Sequence, residues 1–455
     1  MAQTKHKEMD MLHGGLAGKL ILFALPLAFS SILQQLFNSA DVAVVGRFAG
    51  DTALAAVGSC VALVGIFVNL IVGLSVGPNA VLALLIGQNN REEINRTLHT
   101  VITFGAALGV GLMIVGWLTA KPILVLSGTP ESVLDQALLY IFIYFLSIPF
   151  MVVYNFGSAV LRSYGDSRRP MYYLLISGTV NVILNLFLVI ALQLGVAGVA
   201  IATVISNVLS AGMVLTHLAR RNDDFAFRFR RMHIEKTPLL RILQIGIPAG
   251  IQGAIFSVSN VFIQSGINSF GENAIAGSSL ALNFEYFTYD IANAFAQAAV
   301  TFTSQNYGAG KKKRMDRVLV DCMILSVIVA VTLGGGANLF GPQLLHIYTT
   351  EADVIACGTE ILLYTTLTYF LCGIMDLIPG ALRGMGHSAV PMILSIIGTV
   401  GTSIFWIYGV FPMHRSLMVL FLSYPASWTV TILLQAVCFY FVRKKVHSTM
   451  PQEET

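Results

Sequence analysis

The chain is 455 residues long, 56% hydrophobic and only 11% charged, with a mean hydropathy of +0.76. An ordinary soluble domain carries about 25% charged residues, and no chain of this length buries so much apolar surface behind so little charge, so a soluble enzyme is excluded. At about 20 apolar residues per crossing, the length accommodates roughly a dozen membrane-spanning helices and little else.

The polar N-terminus leads into the first apolar run without a small-residue cleavage site, so no cleaved signal peptide is expected. That run, 16–45, is the first span and carries Pro26, Gln34, Asn38 and Asp41. Gln34, Asn38 and Asp41 are spaced to share one helical face. An ionised Asp at mid-membrane costs about 2.5–3.5 kcal/mol, a cost that the carboxyl sheds by taking up a proton, which makes Asp41 the leading candidate for ion exchange.

Spans two to six cover 52–85, 94–118, 133–161, 171–192 and 196–218. Asn155 and Ser158 share a face of the fourth, Asn181 and Asn185 a face of the fifth, and Thr203 lies on the sixth. With Asp41 these groups form either a hydrogen-bonded network around a protonated carboxyl or an oxygen cage for Na⁺ at Asp41, Asn181 and Thr203, since a hard cation prefers oxygen ligands. The polar stretch 220–237 follows, with alternating aromatic and basic residues, and reads as a cytoplasmic linker lying partly at the membrane interface.

Spans seven to twelve cover 238–267, 274–303, 318–340, 354–382, 390–411 and 417–442. The seventh carries a neutral stripe of Ser257, Asn260, Gln264 and Asn268, and no carboxylate matches Asp41 there. The acids of this half are Glu285 and Asp290 on the eighth span, with Asn293 and Gln297 continuing the Asp290 face, and Asp376 on the tenth. No Lys or Arg is expected inside the spans to pair with them. Gln34, Asn38, Asn260, Gln264, Glu285, Asp290 and Asp376 are therefore the expected lining of a substrate cavity. Its acids favour cationic amphipathic compounds, and Phe, Tyr and Met supply adaptable walls.

Every Lys and Arg except Arg47, Lys121 and Arg415 falls on the same side as the N-terminus when loops alternate. The positive-inside rule makes that side cytoplasmic for both termini. The clusters Arg228–Arg231 and Lys311–Arg314 can be read as nucleic-acid or anionic-lipid sites, but anchoring of this topology explains them, and no nucleic-acid partner is expected. The five cysteines show no metal-ligand spacing, the nine histidines form no HExxH pair, and no phosphate-binding GxxxxGK[ST] loop occurs.

The two halves repeat at an offset near 221 residues. LRSYGDSRRPM (161–171) lies opposite LRGMGHSAVPM (382–392), Pro26 matches Pro248 and Asn38 matches Asn260, while Gly87–Asn90 is paired with Ser304–Tyr307 at a slightly smaller offset. Six spans per half give both copies one orientation, an architecture of secondary transporters. The expected fold is thus an all-α integral membrane protein of twelve transmembrane helices. They form two six-helix lobes related by a pseudo-two-fold axis along the membrane normal: 1–219 as the N-terminal lobe, 220–237 as linker and 238–455 as the C-terminal lobe.

The first helix and its exit (PLAFSSILQQLFNSADVAVVGRFAGDTALAAVG, 26–58), the LRSYGDSRRP loop with its LRGMGHSAVP copy, and QNYGAGK (305–311) resemble the multidrug and toxic compound extrusion (MATE) family. The resemblance implies two six-helix lobes around a central cleft and alternating access. It also implies a secondary active antiporter exporting organic cations in exchange for H⁺ or Na⁺. Asp41 resembles the family's coupling Asp, Asn155, Asn181 and Thr203 its polar partners, and Pro26 a proline at which the first helix bends. Asn185 stands where some members carry a second acid, the Ser257 region lacks the Glu of another branch, and Asp376 is about one turn nearer the LRG motif than that branch's Asp. H⁺ is favoured as the coupling ion. A bacterial inner-membrane, multi-pass, monomeric transporter is expected, without enzymatic activity or cofactor. Organic cations and membrane lipids are its expected partners, and a lipid-linked saccharide flippase is the alternative.

Overall fold

The computed structural model describes residues 9–450, with side chains described at all of these except 257–262. In chain order its α-helices are α1 (Ala17–Phe48), α2 (Asp51–Leu74), α3 (Val76–Gly87), α4 (Arg91–Leu126), α5 (Glu131–Phe145), α6 (Ile148–Ser163), α7 (Arg168–Leu186), α8 (Gly195–Ala219) and α9 (Lys236–Asn268). They continue with α10 (Glu272–Gly308), α11 (Lys312–Leu339), α12 (Gly341–His346), α13 (Ala352–Thr366), α14 (Tyr369–Gly384), α15 (Ala389–Ser395), α16 (Thr402–Phe405), α17 (Leu417–Phe421) and α18 (Ser423–Thr449). No strand occurs among the described residues.

Nine helical segments of the described residues are long and apolar enough to cross a bilayer, and α5–α6 and α13–α14 add two broken spans, bent by 43° and 42°. The eighth expected span is α10, whose Ser, Asn, Gln and acidic residues keep it out of that apolar group. The protein is an all-α membrane protein. Because a bilayer core offers no water to the backbone, helices that satisfy their own amides are the form such apolar runs must take.

The duplication is visible in backbone geometry. The breaks at Leu146–Ser147 and Leu367–Thr368 are 221 residues apart, as are the left-handed pairs Gly50 and Gly271 (both φ 88°), Asn89 and Gly310 (55° and 75°), and Gly165 and Gly386 (97° and 83°). One sequence pairing needs correction. Helix ends at Gly87 and Gly308, with the left-handed turns after them, keep the offset at 221, so Gly87–Asn90 corresponds to Gly308–Lys311 and not to Ser304–Tyr307. The shared Gln-Asn letters were a coincidence of composition beside a helix end. At the same offset Asn155 corresponds to Asp376 and Asn69 to Asp290.

The chain divides into two compact units, one built from Phe29–Gly246 and the other from Asp10–Ala28 with Ile247–Thr455. These depart from a division at 219 and 238 in two places: the start of α1 packs with the second unit, and the linker and the start of α9 pack with the first. Both boundaries lie within two residues of a helix-interior proline, Pro26 or Pro248. A proline inside a helix removes one backbone hydrogen bond and crowds the preceding turn, so the segments before and after it can pack on different neighbours.

Within the first unit, helices approach closely over glycine. A Cβ on Gly109 of α4 would lie 2.5 Å from Cα of Pro149 on α6, and one on Gly77 of α3 would lie 2.3 Å from the Ile242 carbonyl of α9. Gly77 and Gly109 thus serve close helix packing within the chain.

Candidate functional site

Asp41 lies seven residues before the end of α1, half-buried, and faces α7. Asn185 Nδ2 donates to Asp41 Oδ1, and the same nitrogen donates to Asn181 Oδ1 at 3.3 Å. Asn181 and Asn185 are four residues apart on α7 and both buried, so one helix face delivers two amides to one carboxyl. The Asn185 Oδ1 oxygen is buried without a hydrogen bond. Tyr140 and Tyr144 of α5, stacked with ring centroids 5.9 Å apart, stand close enough to interact electrostatically with Asp41. Sequence reasoning missed both tyrosines, although their i, i+4 spacing on an apolar helix marks a shared face. Just beyond Asn185, Phe187–Ala191 is wound as a π-helical turn, a local irregularity often found beside functional positions.

The other expected members of this cluster do not join it. Asn155 donates its amide to the Met151 carbonyl at 2.9 Å and Thr203 its hydroxyl to the Val199 carbonyl at 3.0 Å, each within its own helix. Gln34 and Asn38 share the helix of Asp41 but are exposed and make no hydrogen bond to it. Asn260 falls in 257–262 and lies outside the described side chains, while Gln264 donates to Asn268 Oδ1 at 3.0 Å along α9.

The second unit holds its own acids. Glu285 on α10 is only 4% exposed and accepts from the Tyr369 hydroxyl at 3.5 Å, while its Oε1 is buried without a hydrogen bond. Thr365 stands beside it, but its hydroxyl donates to the Ile361 carbonyl at 2.9 Å. Tyr369, Trp428 and Tyr424 form a wall of rings with successive centroid separations of 5.3 and 5.6 Å. An acid beside several aromatic faces is suited to an organic cation, which the ring quadrupoles and the carboxylate both attract.

Asp376 on α14 interacts with Tyr289 and Asn293 of α10. Gln297 extends this chain by donating to Asn293 Oδ1 at 3.0 Å, and Asn293 donates to the Tyr289 hydroxyl at 3.4 Å. One basic residue acts on these acids at longer range, with no ion pair to them among the described residues. Arg383 attracts Asp376 electrostatically and donates from Nη2 to Gln252 Oε1 at 2.7 Å. The two charges are seven residues apart, two turns along one face of α14. Asp290 stands half-exposed on α10, with no hydrogen bond or ion pair among the described residues.

The MatE family model matches the chain twice, over residues 26–187 and 248–408. The chain belongs to the MatE family. The two matched segments are the two copies of the repeat, and they include Asp41, Asn181 and Asn185 in the first and Glu285 and Asp376 in the second. Among curated MatE relatives, a probable multidrug resistance protein, YoeA of Bacillus subtilis, is 29% identical over 94% of both chains. A probable multidrug resistance protein, NorM of Thermotoga maritima, is 28% identical over 83% of this chain and 82% of its own. A solved MATE transporter of the MOP superfamily in an outward-facing conformation shares the fold with a TM-score of 0.88 at 21% identity, covering 98% of this chain and 100% of that one.

Proposed function

We propose that this MatE protein is a secondary active multidrug exporter that couples outward movement of organic cations to inward movement of H⁺ by alternating access. Its relatives bear multidrug resistance names, which favours drug export over flipping of a lipid-linked saccharide. The observation that carries the reading is the carboxylate of Asp41 held by the amide of Asn185. An ionised Asp41 attracts that N–H strongly and a protonated one weakly, so proton uptake loosens the tie between α1 and α7 and proton release restores it. H⁺ is preferred to Na⁺ because Asp41 meets the amide nitrogen of Asn185, a donor that cannot ligate a cation, and neither Asn155 nor Thr203 is hydrogen-bonded to it. One net charge moved inward through 100 mV supplies about 2.3 kcal/mol, sufficient for roughly fifty-fold concentration of a neutral compound per H⁺ or of a monovalent cation when two H⁺ enter. One-for-one exchange with a monovalent cation draws on the pH gradient alone.

Glu285 with its aromatic wall, and Asp376, form the cation-binding side of the proposed cycle. The transporter resides in a bacterial cytoplasmic membrane with both termini inside, acting as a monomer without a cofactor. The test is uptake of ethidium into liposomes holding purified protein under an imposed pH or Na⁺ gradient. A pH gradient should drive transport in the wild type and fail in Asp41→Asn. Na⁺-driven transport without a pH requirement would replace the ion, and gradient-independent activity in both proteins would refute antiport.

A further inference from the structure

The linker between α8 and α9 is an ordered surface held on the first unit. Asn95 of α4 donates to the Asp224 carbonyl at 3.1 Å, His99 Nε2 accepts from the Arg228 amide at 3.1 Å, and Thr100 accepts from the Glu235 amide at 3.1 Å. Phe227 is fully buried between these ties, 5.3 Å from the His99 ring. Beside it lies a cleft of about 960 Å³, whose lining includes Arg91, Asp224, Arg228, Phe229, Arg230 and Arg231.

The acids around this cleft already have partners. Asp223 is bound by Arg221, Glu92 by Arg96 at 2.6 Å, and Asp224 lies 3.6 Å from Arg91. Arg228 donates to the carbonyls of Ala219 and Arg221 at the end of α8. The guanidinium groups of Arg230 and Arg231 take no hydrogen bond or ion pair among the described residues, leaving uncompensated positive charge. Large apolar side chains are interleaved with that charge and exposed: Phe229 by 60%, Met232 by 45% and Ile234 by 45%. The segment leaves one membrane-spanning helix and enters the next, which confines it to the bilayer surface.

We propose that 228–234 is a docking surface for anionic phospholipid, with Arg230 and Arg231 receiving the headgroup phosphate and Phe229, Met232 and Ile234 entering the interfacial layer. Charge complementarity and position select this occupant. Basic residues next to a span attract anionic leaflets at about 1 kcal/mol each, and exposed aromatic and aliphatic groups beside them add apolar burial. A soluble anion would engage the arginines but give the three exposed hydrophobic side chains nothing to contact.

The test is hydrogen–deuterium exchange of the full-length protein in nanodiscs of phosphatidylcholine alone or with phosphatidylglycerol. Amides 226–234 should exchange roughly thirty-fold more slowly with phosphatidylglycerol, in line with two arginine contacts at about 1 kcal/mol each. Arg230→Ala with Arg231→Ala should remove that difference without changing exchange in α4, which confirms that the variant is folded. Phe229→Ser with Ile234→Ser should reduce it while the arginines remain. Equal exchange in both nanodiscs would overturn the proposal. So would the same protection from inorganic phosphate added to phosphatidylcholine discs, which would mark a site for soluble anions.

Discussion

Asn185 commits both of its amide protons, one to Asp41 and one to Asn181, and leaves its own buried oxygen without a donor. The arrangement suits an ionised Asp41, which accepts that amide more strongly than a protonated one. Asn185→Leu should uncouple transport from the pH gradient, because Asp41 then loses its donor in both protonation states. Asn185→Asp places a second acid on the same face and should retain proton coupling with a shifted pH profile. Pyranine-reported proton flux in liposomes, recorded with and without substrate, checks both. Full coupling in the Leu variant would show that the contact is incidental.

The close approach of α4 to α6 gives a stability prediction. Gly109→Val puts a side chain where the first carbon alone would lie 2.5 Å from Pro149 Cα, whereas Gly111, on the same helix, meets nothing within 4 Å. Overpacking of this kind typically costs 1–3 kcal/mol, so Gly109→Val should lower the melting temperature in detergent clearly, and Gly111→Ala should not. Similar melting curves for the two would contradict the packing.

Much of this architecture was legible in the letters. Apolar runs located the spans, and the LRSYGDSRRP copy located the repeat, because both depend on local composition. Glu285 and Asp376 were visible as acids in apolar surroundings. Their partners were not, since Tyr369 and Tyr289 reach them from other helices through packing that no local pattern encodes. Arg383 was read as a loop charge because it ends a helix, although its seven-residue spacing from Asp376 held the signal. Asn155 and Thr203 went the other way: polar groups in spans often bond to their own preceding turn, and these two do.

The linker offers a pH dependence. Burial opposes ionisation of Asp223, but its hydrogen bond and charge pairing with Arg221 and the Phe225 amide at 3.1 Å together outweigh burial and hold the carboxyl below its ordinary 3.8. A group depressed in the folded state stabilises above its unfolded value, and that contribution disappears as pH falls through the folded one. Exchange of linker amides 221–227, corrected for intrinsic rates, should therefore accelerate only at pH below 3.8. Asp223→Asn should show the faster exchange already at neutral pH. No difference between variant and wild type at neutral pH would count against the pairing.

Glu285 separates charge recognition from general apolar binding. The carboxylate is buried beside Tyr369, Tyr424 and Trp428, so a permanent organic cation gains both Coulomb and ring attraction there, while a neutral compound gains only contact area. Glu285→Gln keeps the shape and removes the charge. It should raise KM for tetraphenylphosphonium about ten-fold or more, equivalent to at least about 1.4 kcal/mol, and leave a neutral substrate within about two-fold. Tyr369→Phe removes only the 3.5 Å hydrogen bond and keeps the ring, so its effect on the cation should be smaller. Trp428→Ala, which removes a ring, should fall between them. Equal losses for cationic and neutral substrates in Glu285→Gln would assign the residue to helix packing, since a structural acid has no reason to distinguish one substrate charge from another.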